Sequence, residues 1–246
     1  MTYAKSSVYN TLFGGSSKQY GGAKPSIFKA NLTDLFKLIT DKKEFFIMVF
    51  ANLIAQLGIT YYVMEKVNLD TNDTETKKQL KYLGYLNILI IIIIALVPMP
   101  SWLKFIFFCA FSAIWGYLFS PLRQVVGEDA VKMAMMGTIS IFALMFAMGL
   151  GLILSGIQLG YKFGLMMFYF LLILLLIRII QLFIPTSSLT KKIMAICSLL
   201  LFSVYIVYDT NSILQRNYYG DFITASMDYY LDILNIFINL LSFGRD

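Results

Sequence analysis

Seven long apolar stretches separated by short polar breaks make up most of the chain. A helix that crosses a bilayer needs roughly 17–25 predominantly apolar residues. On that criterion the spans fall at about 45–64, 82–98, 102–119, 131–155, 160–184, 190–208 and 222–243. Pro98 and Pro100 stop the second, Ser120-Pro121 the third and Pro185 the fifth. The connections are short, so chain neighbours should pack antiparallel in one bundle with no internal domain boundary. The pattern predicts an all-α membrane protein, a seven-transmembrane-helix bundle occupying residues 45–246.

Residues 1–44 precede it. The first 24 are polar, and Gly14, Gly15, Gly21 and Gly22 bracket Ser16, Ser17 and Lys18, the composition of a mobile arm. Over 27–39, Phe28, Leu32, Leu35, Phe36 and Ile39 recur at helical spacing opposite Lys29, Asp34 and Lys37. That is an amphipathic helix, suited to the membrane interface or to capping the bundle.

The last span differs from the others. Asp228, Asp232, Asn235, Asn239 and Ser242 interrupt it at steps of four, three, four and three, which places all five on one helix face. A carboxylate at membrane depth is costly unless it meets protein, water, an ion or a proton, so the stripe should face inward. Asp232 lies about ten residues into the span, roughly 15 Å along the axis, whereas Asp228 could serve the helix dipole or face water. Asp209, at the end of the preceding run, is the expected partner, though a solvated loop residue is an equal reading there. Two carboxylates in a low-dielectric interior cannot both stay ionised and titrate as a unit. A shared proton would hold the two helices together, and its loss would repel them or admit a cation. Oxygen-only ligands at Asp209 and Asp232 suit a hard cation such as Ca²⁺ rather than a transition metal. Arg178, deep in the fifth span, either pairs with a carboxylate of the last two spans or snorkels to the interface. Gly137, Ala143, Ala147, Gly149, Gly151 and Ser155 in the fourth span permit close helix approach.

Composition narrows the chemistry. The chain has no histidine and two cysteines, Cys109 and Cys197, both within apolar runs. Zinc, haem and iron–sulfur cofactors lack a ligand set, and no nucleophile–base pair suggests an enzyme. The cysteines read as small buried apolar residues. The net charge of +6 is concentrated at the front, where seven lysines face three acids over residues 1–44. A basic tail suits anionic lipid rather than nucleic acid, so the bilayer is the expected partner, and the tail favours a cytoplasmic amino terminus.

A resemblance adds to this. Tyr208-Asp209-Thr210-Asn211-Ser212-Ile213, Gly220-Asp221, Ala225, Tyr230-Leu231-Asp232-Ile233 and Asn235-Ile236-Phe237 resemble the carboxy-terminal signature of the Bax inhibitor one, or transmembrane Bax inhibitor motif, family. Phe111-Ser112-Ala113 to Ser120-Pro121 is similar to its third helix and Thr138 to Phe142 to its fourth; the likeness covers 45–243. It implies seven helices with the carboxy-terminal one central, and a paired-aspartate sensor, Asp209 with Asp232. It further implies a slow pH-sensitive calcium leak, calcium being the permeant ion, in a cell-death-suppressing protein of an intracellular membrane such as the endoplasmic reticulum, or of a bacterial membrane. One departure stands out. Bacterial members carry arginines near the end of the second helix, where this chain reads Val97-Pro98-Met99-Pro100-Ser101-Trp102, with no base before Lys104. Lys104 or Arg178 then supplies the countercharge, or that part of the gate is lost. The missing base and the basic arm also motivate a second reading, a non-conducting accessory subunit bound to membrane protein partners, for instance in the mitochondrial inner membrane.

Overall fold

The computed structural model describes residues 40–184, 187–215 and 220–243, the side chain of Leu182 excepted. The arm, the amphipathic helix over 27–39 and the stop at Pro185 lie outside the described residues. Among those described there are seven helices and no strand: α1 (Lys43–Lys66), α2 (Thr74–Leu96), α3 (Ser101–Val126), α4 (Glu128–Leu154), α5 (Tyr161–Phe183), α6 (Ser188–Gln215) and α7 (Phe222–Phe243). By length and composition α1 to α6 can each cross a membrane, which makes this a multi-pass integral membrane protein. α7 falls short of the same apolarity because Asp228, Asp232, Asn235 and Asn239 lower its mean hydropathy. The expected seven spans are therefore six on this measure.

Three helices outrun their apolar cores. α2 starts eight residues early, at Thr74, because the Asp73 carboxylate caps it, accepting from the Thr76 amide at 3.0 Å and the Thr76 hydroxyl at 2.9 Å. α3 does not stop at Ser120-Pro121 but runs through Pro121 to Val126. Ser120 donates to the Val67 carbonyl and Arg123 to Asn68 Oδ1, tying that last turn to the end of α1. It ends at Gly127, whose φ of 83° favours glycine. α6 continues beyond Tyr208 to Gln215, which moves Asp209 from the helix end into the helix.

The helices do not simply pack on their chain neighbours. α2 lies on α3 and α6 on α7, but α1 packs broadly on α3, and α4 on α6. Glycines set both non-sequential seams, as expected where apolar surface faces lipid and association depends on close packing. A Cβ on Gly116 would stand 2.4 Å from the Thr60 carbonyl oxygen, and one on Gly149 would stand 2.6 Å from Thr210 Cβ and 2.9 Å from the Val207 oxygen. Within the small-residue cluster of the fourth span, close approach is thus realised at Gly149 and at Gly137, beside Leu240, whereas Gly151 faces open space. Gly149→Ala should lower stability by about 1–3 kcal/mol, read as an earlier thermal transition in detergent.

α7 lies against α1, α3, α4 and α6. Its Tyr229 joins an aromatic cluster with Phe50, Phe142 and Phe146, the Phe142–Tyr229 rings meeting edge to face at 5.3 Å. Cys109 is half-buried and Cys197 exposed on the apolar surface, so neither is the buried core residue expected, and both are free thiols.

Candidate functional site

Asp209 sits in α6 at 8% exposure, inside a buried polar run in which Thr210 and Asn211 have partners and Ser212 Oγ has none among the described residues. Thr210 donates to the Ile206 carbonyl at 2.7 Å. Asn211 donates to the Ile157 carbonyl at 3.0 Å and accepts from the Leu159 amide at 2.8 Å, clamping the α4–α5 connection onto α6. Lys42 reaches the carbonyls of Ile213 and Leu214 at 3.1 and 2.5 Å, satisfying oxygens that the helix end leaves open. The loop reading of Asp209 is corrected: it is an interior helical residue.

Asp232 of α7 is 4% exposed. Asp209 and Asp232 are both buried and line one cavity, with Asp228, half-buried one turn earlier on α7, beside them. Oδ2 of Asp232 finds no N–H or O–H donor among the described residues. Asp209, Asp228, Asp232 and Asn235, with Tyr205 and Tyr208, line a cavity of about 510 Å³ between α5, α6 and α7. The Tyr229 phenol donates to Thr210 Oγ1 at 2.8 Å, bracing the residue after Asp209 from the α7 side.

Further along the stripe, Asn235 donates to the Leu231 carbonyl, and Asn239 donates to Ser198 Oγ at 2.8 Å and the Asn235 carbonyl at 2.6 Å. Arg178 crosses from α5 to Asn239 Oδ1 at 3.4 Å. Among the described residues it meets no carboxylate of α6 or α7; it touches the stripe about 10 Å beyond Asp232, four residues from the end of α7. Lys104 is engaged elsewhere, its ammonium standing 2.5 Å from Asp221 Oδ2 and 3.1 Å from Thr224 Oγ1. Neither base forms an ion pair with Asp209 or Asp232 among the described residues.

The Lys104–Asp221 pair staples the start of α3 to the start of α7. Burial disfavours ionised Asp221, but the Lys104 ammonium and the amide and hydroxyl of Thr224 outweigh it and hold the carboxyl below its ordinary value of 3.8. The staple's contribution is thus complete above that ordinary value and disappears as pH falls through the depressed one. Asp221 also caps α7, accepting from the Thr224 amide at 3.0 Å. Asp221→Asn, which keeps a capping oxygen, should cost about 1.5–3 kcal/mol, and Asp221→Ala more, both measurable by thermal unfolding at pH 7.

A second polar assembly escaped sequence reasoning. Asn52, Gln56 and Thr60 recur at steps of four in α1, and all three are buried. Gln56 donates to Asn52 Oδ1 at 3.2 Å and accepts from Ser112 at 2.9 Å; Asn52 donates to Ser226 at 2.5 Å; Thr60 and Tyr230 share a hydroxyl contact of 2.6 Å. The signal was the same i, i+4 polar spacing that marked α7.

Among the described residues, no group of three or more His, Cys, Asp or Glu is placed to hold a metal.

These features define a polytopic helical membrane protein with two buried acids on one interior cavity. A family described as "Inhibitor of apoptosis-promoting Bax1" matches residues 42–244, and the chain belongs to this Bax inhibitor family. It is 36% identical over 89 residues to Protein LIFEGUARD 4 of Arabidopsis thaliana, covering 35% of this chain and 36% of that protein. It is 39% identical over 82 residues to the BI1-like protein of the same plant, 33% of this chain and 32% of the relative. An uncharacterised protein of Helicobacter pylori J99 is 34% identical over 136 residues, 54% of this chain and 56% of its own length. The chain thus spans about a third of the length of the LIFEGUARD relatives it matches.

Proposed function

We propose that this protein is a pH-sensitive calcium-permeable leak of an intracellular membrane, such as the endoplasmic reticulum, that suppresses cell death. α7 crosses the membrane as a seventh, central span whose stripe is shielded by its neighbours. The observation that carries the reading is that Asp209 and Asp232, both buried, line one cavity between α5, α6 and α7. Two carboxylates buried on one cavity cannot both stay ionised, and the proton they keep is shared between them. With it, α6 and α7 are latched. Without it, two buried negative charges with Asp228 beside them repel, the helices part, and a hard cation replaces the proton. Calcium is then a passing ion rather than a bound cofactor. Arg178, already on the stripe at Asn239, is the base best placed to follow the freed charge.

Calcium flux in proteoliposomes tests this across pH 6–8. The parent should leak faster as pH rises, whereas Asp209→Asn and Asp232→Asn should alter the flux and flatten its pH dependence. Parent-like leakage in both variants would end the latch mechanism. A purified protein that is inert at every pH but retains a stoichiometric membrane partner would instead favour the accessory-subunit reading.

A further inference from the structure

Asn87 lies in the middle of the apolar run of α2 and is 3% exposed, yet neither its amide nitrogen nor its oxygen has a hydrogen-bond partner among the described residues. The indole nitrogen of Trp115 on α3 is likewise buried without an acceptor. Both residues line the same cavity of about 410 Å³ between α2 and α3, floored by Leu231 of α7. Elsewhere in the bundle the buried amides of Gln56, Asn211 and Asn239 are bonded, and the Gln181 amide nitrogen is unmet among the described residues but does not line this cavity. Leaving a buried polar group unmet costs about 1–3 kcal/mol, so two such side chains converging on one cavity mark a place where something else supplies the partners.

The rest of the cavity says what. Its walls are apolar, Ile88, Ile91 and Phe111 among them, and it opens on the lipid-facing side of α2, where Tyr85 is 68% exposed. Lys81, exposed at its mouth, makes no ion pair among the described residues. Tyr82 and Tyr85 beside it place this turn at the headgroup level, where tyrosines concentrate. Asn87 follows Lys81 by six residues, about 9 Å deeper along the helix. A cation at headgroup level, then two N–H donors a short way down, then apolar walls is the order of groups in one molecule of the bilayer. Its phosphate meets the cation, its acyl ester carbonyls meet the donors, and its chain follows the walls. We propose that the α2–α3 cleft binds an anionic diacyl phospholipid, with its phosphate at Lys81 and an ester carbonyl between Asn87 and Trp115.

The chain's two tryptophans make the test direct, because Trp102 is 65% exposed at the opposite end of α3. Trp102→Phe leaves Trp115 as the only indole, and its quenching by chain-brominated lipid reports which lipid occupies the cleft. In vesicles of phosphatidylcholine, brominated phosphatidylglycerol should outcompete brominated phosphatidylcholine by about five-fold, the ratio that one lysine near the surface supplies. Lys81→Gln should bring the ratio near one, and the diether analogue, which lacks ester carbonyls, should compete less well than the diester. Equal quenching by the two headgroups, a ratio untouched by Lys81→Gln, or a preference for a brominated free fatty acid would each overturn the assignment. A second measurement is independent of fluorescence. Asn87→Leu should melt no lower than the parent in neutral detergent and should lose the upward shift that phosphatidylglycerol gives the parent. A lower melting point without lipid would show that Asn87 is already satisfied within the protein, and the proposal fails.

Discussion

Gly116→Val should be the most damaging single substitution in the bundle, costing about 3 kcal/mol or more. A Cβ at Gly116 would meet the Thr60 carbonyl oxygen at 2.4 Å, Val63 Cβ at 2.8 Å and the Met64 nitrogen at 3.2 Å. Two of those atoms are backbone inside α1, so no rotamer change relieves the contact; α1 and α3 must separate. Thr60 stands where this separation does most harm. Its hydroxyl faces the Gln56 carbonyl, the Ser112 carbonyl of α3 and the Tyr230 phenol of α7. Pushing α3 outward therefore strains a buried polar network as well as a packed seam, and a half-satisfied network costs more than an apolar one. Thermal unfolding in detergent should show a large fall for Gly116→Val and none for Gly151→Ala, where the added methyl meets nothing. Similar losses in both would mean that the α1–α3 contact is not what glycine protects.

The two positions also show what sequence reasoning could reach. Apolar run length located all seven helices, because hydropathy reports directly on what a bilayer tolerates. It misplaced the ends of α2, α3 and α6, where continuation depends on capping by Asp73, on bonds from Ser120 and Arg123, and on the partners of Thr210 and Asn211. Those partners lie far along the chain or in side-chain geometry, and a hydropathy pattern carries neither. The stripe of α7 was legible because its five polar residues stand out against an apolar background. The α1 stripe of Asn52, Gln56 and Thr60 used the same period but carried no charge, so its cost was easier to overlook. Pairing order was not legible. Short connections suggested chain neighbours, whereas Gly116 and Gly149 admit α3 to α1 and α4 to α6. The partners of the two candidate countercharges were not legible for a related reason: Asp221 beside Lys104 and Asn239 beside Arg178 lie where only the folded chain could put them.

A double-mutant cycle on Asp209 and Asp232 should give the strongest coupling in the molecule. Each carboxyl is almost fully buried and both line one cavity, so if they share a proton, removing one strands its partner away from water. Asp209→Ala and Asp232→Ala should each cost about 1–3 kcal/mol for the group left unmet. The double variant should cost clearly less than the two singles together, because it leaves no stranded acid, with a coupling within the roughly 0.5–3 kcal/mol seen for contacting residues. pH then separates a latch from an ordinary buried hydrogen bond. If one proton holds the parent pair, raising the pH removes it and the parent should lose stability over the range in which its calcium flux grows. Asp209→Asn carries an N–H that no base withdraws, so its melting point should stay level over the same range. Pairing it with Asp232→Asn should leave amide facing amide, a contact that still closes but has nothing to titrate. Additive alanine costs, or a parent whose melting point ignores pH while its flux responds, would move the sensor away from these two acids and onto Asp228 or the Lys104–Asp221 staple.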